Sequence, residues 1–157
     1  MIRVATAVGL LVLAGCSEPQ GPYKTDLAMK EVMGHVLDPA ADAIWSAAGY
    51  DVTEAGERDL SPTTDEGWLA VENGAATVAE TANLLMVPAR VPDDGDDWIR
   101  YSQQLHAAGL KALAAADARD KQAVFDTGGE IYQVCVACHR RYWTGAAPGR
   151  ADAPGGG

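Results

Sequence analysis

The most informative stretch of this chain is DKQAVFDTGGEIYQVCVACHRRY, residues 120–142. Its apolar and small residues recur at intervals of four and three, which predicts a helix that begins near Asp120. Gly128 and Gly129 together weaken such a helix by about 2 kcal/mol relative to alanines. This pair therefore either admits a close neighbour or breaks the helix. The shared face carries Val124, Gly128, Ile131, Cys135, Cys138 and Tyr142.

A helical segment is also predicted near the start of the chain, from Lys24 to a stop near Gly49. Pro39 falls inside it and should kink it near Leu37, because proline lacks an N–H and its ring clashes with the preceding turn. The apolar face of this segment carries Met29, Met33, Val36, Ala40, Ile44 and Ala47.

Two further helices are predicted between these segments. One begins at a capping box, Thr63 to Glu66, and ends near Pro88, and the next runs from near Asp96 to about Arg119. No stretch alternates with period two, and only the 50–63 connection is long, so we predict an all-α fold, an antiparallel four-helix bundle. The predicted core faces are Trp68, Val71, Ala75, Val78, Ala82 and Leu85, then Trp98, Tyr101, Leu105, Ala108 and Ala112.

Composition limits the classes of function. The chain has 157 residues, 48% of them hydrophobic, and a formal net charge of −10. A protein with this negative net charge cannot neutralise the phosphates of a nucleic acid, which excludes a nucleic-acid partner. Three cysteines are too few for a disulfide scaffold. The four tryptophans and Phe125 are expected to lie in the core.

The N-terminus is typical of an exported protein. Arg3 precedes an apolar run that closes with Leu13, Ala14, Gly15 and Cys16, a pattern that resembles the lipobox of bacterial lipoproteins. We therefore expect a signal peptide at 1–15, lipidation of Cys16, a tether at 16–23, the helical domain at 24–143 and a disordered tail at 144–157. The resemblance implies a periplasmic protein anchored to a membrane, the outer membrane of a Gram-negative bacterium, and an ordinary secreted protein is the alternative.

The chemistry lies in Cys135, Cys138 and His139, which form a C-x-x-C-H motif. Two thiols three residues apart share one helical face and can add to neighbouring vinyl groups, and the following imidazole can bind the iron, so the motif indicates covalent haem c. A thioredoxin-like dithiol, a zinc site completed by His35 or His106, and a buried disulfide are the alternatives.

A helical, exported chain with this motif in its last helix resembles the cytochrome c-prime family, the class II c-type cytochromes. The resemblance covers residues 24–143. It implies that haem lies between the first and last helices, with His139 as the proximal ligand. A haem-free structure should then leave a cavity between the Met33 face and the face of Cys135, Cys138 and His139, and a fully packed contact there would count against haem. A methionine of the first helix would be the distal ligand. We predict Met33, on the predicted core face before the kink, with Met29 as the alternative.

The resemblance implies an electron carrier with His/Met ligation, which is not an enzyme because methionine would block substrate. The alternative within the family is a five-coordinate protein that binds or senses gases. Arg140 and Arg141 could contact the haem propionates or act as cations at a helix C-terminus. The expected partners are redox proteins with a basic docking patch, the membrane through Cys16, and a second copy of the chain in a homodimer.

Overall fold

The computed structural model describes residues 22–143. The predicted signal peptide at 1–15, the lipidation site Cys16, most of the tether and the tail at 144–157 lie outside the described residues. Within the described residues, no helix is both long enough and apolar enough to span a membrane.

The N-terminal helical segment, residues 29–45, is interrupted in its middle. It consists of helix α1 (Met29–Val32), a π-helical turn (Met33–Leu37) and helix α2 (Asp38–Trp45). Pro39 cannot donate a hydrogen bond and its ring would clash with the carbonyl of His35, so the backbone widens and Asp38 N–H bonds the carbonyl of Met33. A π-helical turn lies where the kink near Leu37 was predicted, and the helix begins at Met29 and not at Lys24.

The π turn changes which side chains of this segment reach the core. One extra residue per turn rotates the face, so Leu37 is buried and Val36 is only half-buried. The predicted face was therefore wrong before Pro39, where Met29 and Met33 are also half-buried. The buried residues of the segment are Val32, Leu37, Ala40, Ala41 and Ile44.

A β-hairpin occupies the connection that follows. Strands β1 (Tyr50–Thr53) and β2 (Gly56–Asp59) pair antiparallel, with Tyr50 opposite Asp59, and Gly56 adopts a φ of 129° at the turn. The sequence analysis expected only a long connection here, and that expectation was wrong. All eight strand residues are exposed, so neither face required the apolar alternation that reveals a strand.

Three long helices complete the described chain. They are α3 (Asp65–Leu85), α4 (Asp96–Asp117) and α5 (Lys121–Tyr142). The Thr64 hydroxyl caps α3 by accepting the N–H of Gly67 at 3.1 Å, one residue later than the predicted capping box. Asp120 caps α5 in the same way, by accepting the N–H of Ala123 at 3.0 Å. The chain is therefore mostly helical, with one small hairpin.

The helices share one apolar core. Helix α3 packs on α4, α4 packs on α5, and α2 contacts both α3 and α5. The predicted core face of α3 is confirmed at all six positions, whereas on α4 Tyr101 is half-buried and Ser102 is buried in its place. Phe125 and Trp143 were expected in the core, but their exposed fractions are 54% and 40%.

Candidate functional site

Cys135, Cys138 and His139 lie in the last two turns of α5, where the structure leaves all three half-buried. Helix α5 continues unbroken through Gly128 and Gly129, so the motif is held on a regular helix. The two cysteines are free thiols. At three residues' spacing they are about 5 Å apart along the helix axis and lie on neighbouring parts of one face.

Burial controls the thiol chemistry of the motif. Burial, with smaller contributions from Cys138 and the Asp38 carboxylate, raises the pKa of the Cys135 thiol to about 11. Burial also raises the pKa of Cys138. A dithiol redox site needs the opposite, a thiol pKa lowered by a helix N-terminus or a nearby cation. This environment does not favour the thioredoxin-like alternative.

The burial of His139 favours the neutral form of its imidazole. Burial lowers the pKa of His139, and the Asp38 carboxylate opposes that shift. The Trp143 indole lies edge-on to the imidazole, with ring centroids 4.9 Å apart and an interplanar angle of 74°. A neutral imidazole has the free nitrogen lone pair that a metal ligand requires.

The N-terminal helical segment faces this end of α5. Trp45 Nε1 donates a hydrogen bond to the Gly128 carbonyl at 2.9 Å, and Asp38 is close enough to act electrostatically on both Cys135 and His139. Met29 and Met33 pack against the same core cluster as the two cysteines. Asp38 was missed as a site neighbour, because an acid beside Pro39 reads in sequence as a helix-start residue.

Two cavities border helix α5, and neither is lined by Cys135, Cys138 or His139. One of about 380 Å³ is lined by residues that include Met29, Arg90, Trp98 and Tyr142. The other, of about 430 Å³, lies between α4 and α5, with Val134 and Ala137 in its wall. Neither is the cavity predicted between Met33 and the motif. Met33 and both cysteines are partly exposed to solvent.

The remaining candidate residues differ in their surroundings. Arg141 pairs with Asp94 at 2.7 Å, which fastens the end of α5 to the turn before α4, while Arg140 is exposed. His35 is exposed, and His106 is half-buried with Nδ1 2.9 Å from the carbonyl oxygen of Ala79. Among residues 22–143, no three His, Cys, Asp or Glu side chains are grouped to hold a metal ion, as zinc would require.

Comparison with known proteins gave no relative. No protein-family model matches the chain, and neither the curated proteins nor the solved structures contain a match.

Proposed function

We propose that this chain is a covalent c-type haem protein that carries electrons and has no turnover of its own. The observation that carries the proposal is the C-x-x-C-H motif on the last helix, with two free, half-buried thiols beside a half-buried imidazole. Cys135 and Cys138 would hold haem through thioethers, and His139 would be its proximal ligand. When bound, the group supplies reversible one-electron chemistry at its iron.

The finer architecture belongs to the same proposal: an antiparallel four-helix bundle in which α2 lies beside α5. The hydrogen bond from Trp45 to Gly128 and the electrostatic contact of Asp38 with Cys135 support this arrangement. Trp45 lies beside Gly128, and Asp38, which precedes Trp45 in the chain, lies near Cys135, which follows Gly128. That direction is antiparallel, as a bundle with short links requires.

The same pairing favours Met33 as the distal ligand. Asp38, which acts electrostatically on both Cys135 and His139, directly follows the turn that holds Met33, so Met33 is the methionine nearer in sequence to the part of the segment that faces the motif. Met29 lies one turn further along and lines the same cavity as Tyr142, so it is the alternative. Methionine sulfur is an axial ligand that raises the reduction potential and leaves no open position.

The location and the partners of the protein are proposed from its sequence and its net charge. A lipid anchor on Cys16 would hold the domain at the periplasmic face of the outer membrane. The formal net charge of −10 suits redox partners with a basic docking patch and does not suit nucleic acid. Homodimerisation, which the cytochrome c-prime resemblance implies, completes the proposed set of partners.

The decisive experiment is expression of the full chain with a c-type cytochrome maturation system. We expect a coloured protein whose mass exceeds that of the lipidated polypeptide by one haem. The Cys135→Ala/Cys138→Ala variant should remain colourless, whereas Cys16→Ser, which changes a cysteine outside the motif, should keep the haem. Colourless full-length protein with both thiols free would overturn the proposal.

The optical spectrum then identifies the sixth ligand. A methionine–iron band in the far red that Met33→Leu abolishes and Met29→Leu preserves would assign Met33. The reverse pattern would assign Met29. A high-spin spectrum that carbon monoxide changes without unfolding would support the five-coordinate gas-binding alternative.

A further inference from the structure

Helix α5 has a second apolar face, which points away from the core. Its members recur at intervals of four and three, so they share one side of the helix. Phe125 and Tyr132 expose 54% and 55% of their surface, and Trp143 exposes 40%. We call this face the outer stripe; it consists of Phe125, Gly129, Tyr132, Val136, His139 and Trp143.

Neighbouring groups hold the aromatic rings of the outer stripe in place. Tyr132 packs against Trp45, with ring centroids 6.2 Å apart at 77°. Phe125 lies over Gly49, where a Cβ atom would approach the ring to 3.3 Å. Exposed aromatic rings that are already ordered lose little side-chain entropy when a partner covers them.

Acidic side chains border the outer stripe. Asp126 is exposed on α5 beside Phe125, Asp42 is exposed on α2 one turn before the Trp45 that packs on Tyr132, and Asp38 acts electrostatically on His139. Lys121, one turn before Phe125, is paired with Asp59 at 2.6 Å. Arg140 lies at the far end of the stripe, next to His139. An apolar centre with an acidic border is complementary to a surface that carries lysines and arginines around an apolar patch.

We propose that the outer stripe is the docking surface for a redox protein whose own surface has a basic border around an apolar centre. The proposal rests on the proposed haem function. The stripe includes His139 and the Trp143 ring that contacts it, so a partner docked there lies against the proximal side of the motif. One electron would pass from the reduced iron to the partner's one-electron acceptor, and no atom or proton would be exchanged.

The test measures electron transfer from the reduced full chain to an oxidised, lysine-rich mitochondrial-type cytochrome c. Covalent haem is first verified by mass, so that failure of the haem proposal is recognised before docking is tested. The double variant Phe125→Gln/Tyr132→Gln should slow the bimolecular rate of electron transfer by about tenfold. Its optical spectrum and its helix content should remain those of the wild type. The matched control Leu69→Gln/Leu84→Gln changes exposed leucines of α3 and should alter the rate less than about twofold.

Charge and position are tested separately. Asp42→Asn/Asp126→Asn should slow transfer by about threefold at low salt and flatten its salt dependence. Backbone amide NMR shifts induced by the oxidised cytochrome should cluster on the outer stripe. If Tyr132→Gln disturbs packing on Trp45, Phe125→Gln alone is the variant to use, since Phe125 lies outside the core.

Three results would overturn the proposal. The first is an aromatic variant that transfers electrons as fast as the α3 control. The second is a concentration-dependent dimer that Phe125→Gln dissociates, which would make the stripe an interface between copies of this chain. The third is faster transfer by a variant that ends at Trp143, which would show that residues 144–157 cover the stripe in the full chain.

Discussion

Gly128 and Gly129 are adjacent residues of α5 with opposite surroundings. A Cβ atom at Gly129 would meet nothing within 4 Å, whereas one at Gly128 would lie 3.3 Å from Trp45 Cδ1. Alanine is a better helix former than glycine by about 1 kcal/mol, so Gly129→Ala should raise the free energy of unfolding by about that amount. Gly128→Ala gains the same propensity but crowds the indole that bonds its carbonyl.

Urea denaturation of the two alanine variants compares them directly. Gly129→Ala should be the more stable, and Gly128→Ala should fall near or below wild type. If the two variants are equally stable, Trp45 has room to move and Gly128 is not needed for close packing. The sequence analysis left close approach and helix breaking open for this pair, and the structure favours close approach at Gly128 alone.

Cys135 gives a pH prediction at the residue scale. Because burial raises its pKa to about 11, alkylation of the folded, haem-free chain by iodoacetamide should be slow at pH 8 and rise with a midpoint near pH 11. The unfolded chain, with an ordinary thiol, should react with a midpoint of about 8.5. Asp38→Asn should shift the folded midpoint downward, since the carboxylate contributes to the raised pKa.

The same shift sets the sign of a stability change. The unfolded thiol ionises first as pH rises, so the folded state holds more protons between about pH 8.5 and 11, and stability should fall across that range. Thermal melts of the haem-free chain against a Cys135→Ala control measure this loss. Fast alkylation of folded Cys135 at pH 8 would show instead that the thiol is accessible and activated.

At the scale of whole elements, the close contact between helices α3 and α4 depends on Gly109. A Cβ at Gly109 would lie 2.7 Å from the backbone nitrogen and 2.9 Å from Cα of Ala79, and backbone atoms cannot move aside cheaply. Gly109→Ala should therefore destabilise the fold by about 1–3 kcal/mol despite its better helix propensity. Denaturant midpoints compared with Gly34→Ala, where a Cβ meets nothing, check this; an unchanged midpoint for Gly109→Ala would contradict the close packing.

The elements differ in how well their sequences predict them. The face of α3 was predicted residue by residue, because one uninterrupted helix buries every third or fourth side chain. The N-terminal segment was predicted only in part, because the π turn before Pro39 adds a residue to the period and brings Leu37 inward. The hairpin gave no signal, since its stability comes from turn residues and exposed backbone pairing and not from burial.

In the candidate site too, residues that are close in sequence were predictable and contacts between distant elements were not. Cys135, Cys138 and His139 are close in sequence on one helix, so their shared position was predictable. The approach of Asp38, the Trp143 contact and the cavity shared by Met29 and Tyr142 depend on the packing of distant elements, which the helical period does not encode. For this reason the proposed attachment residues Cys135 and Cys138 follow from spacing alone, whereas the proposed distal ligand does not.

The net charge of the whole molecule gives the last prediction. With 22 acidic against 12 basic residues, the protein should attract a cationic electron acceptor and repel an anionic one. Absolute rates also depend on driving force, so the salt dependence is the informative quantity. Raising ionic strength from about 0.01 M to 1 M shortens the screening length from about 30 Å to 3 Å. Transfer from the reduced haem protein to a tripositive cobalt complex should therefore slow, and transfer to ferricyanide should accelerate. Two rates that shift in the same direction would show that local charges near the haem, such as Arg140, outweigh the acidic surface.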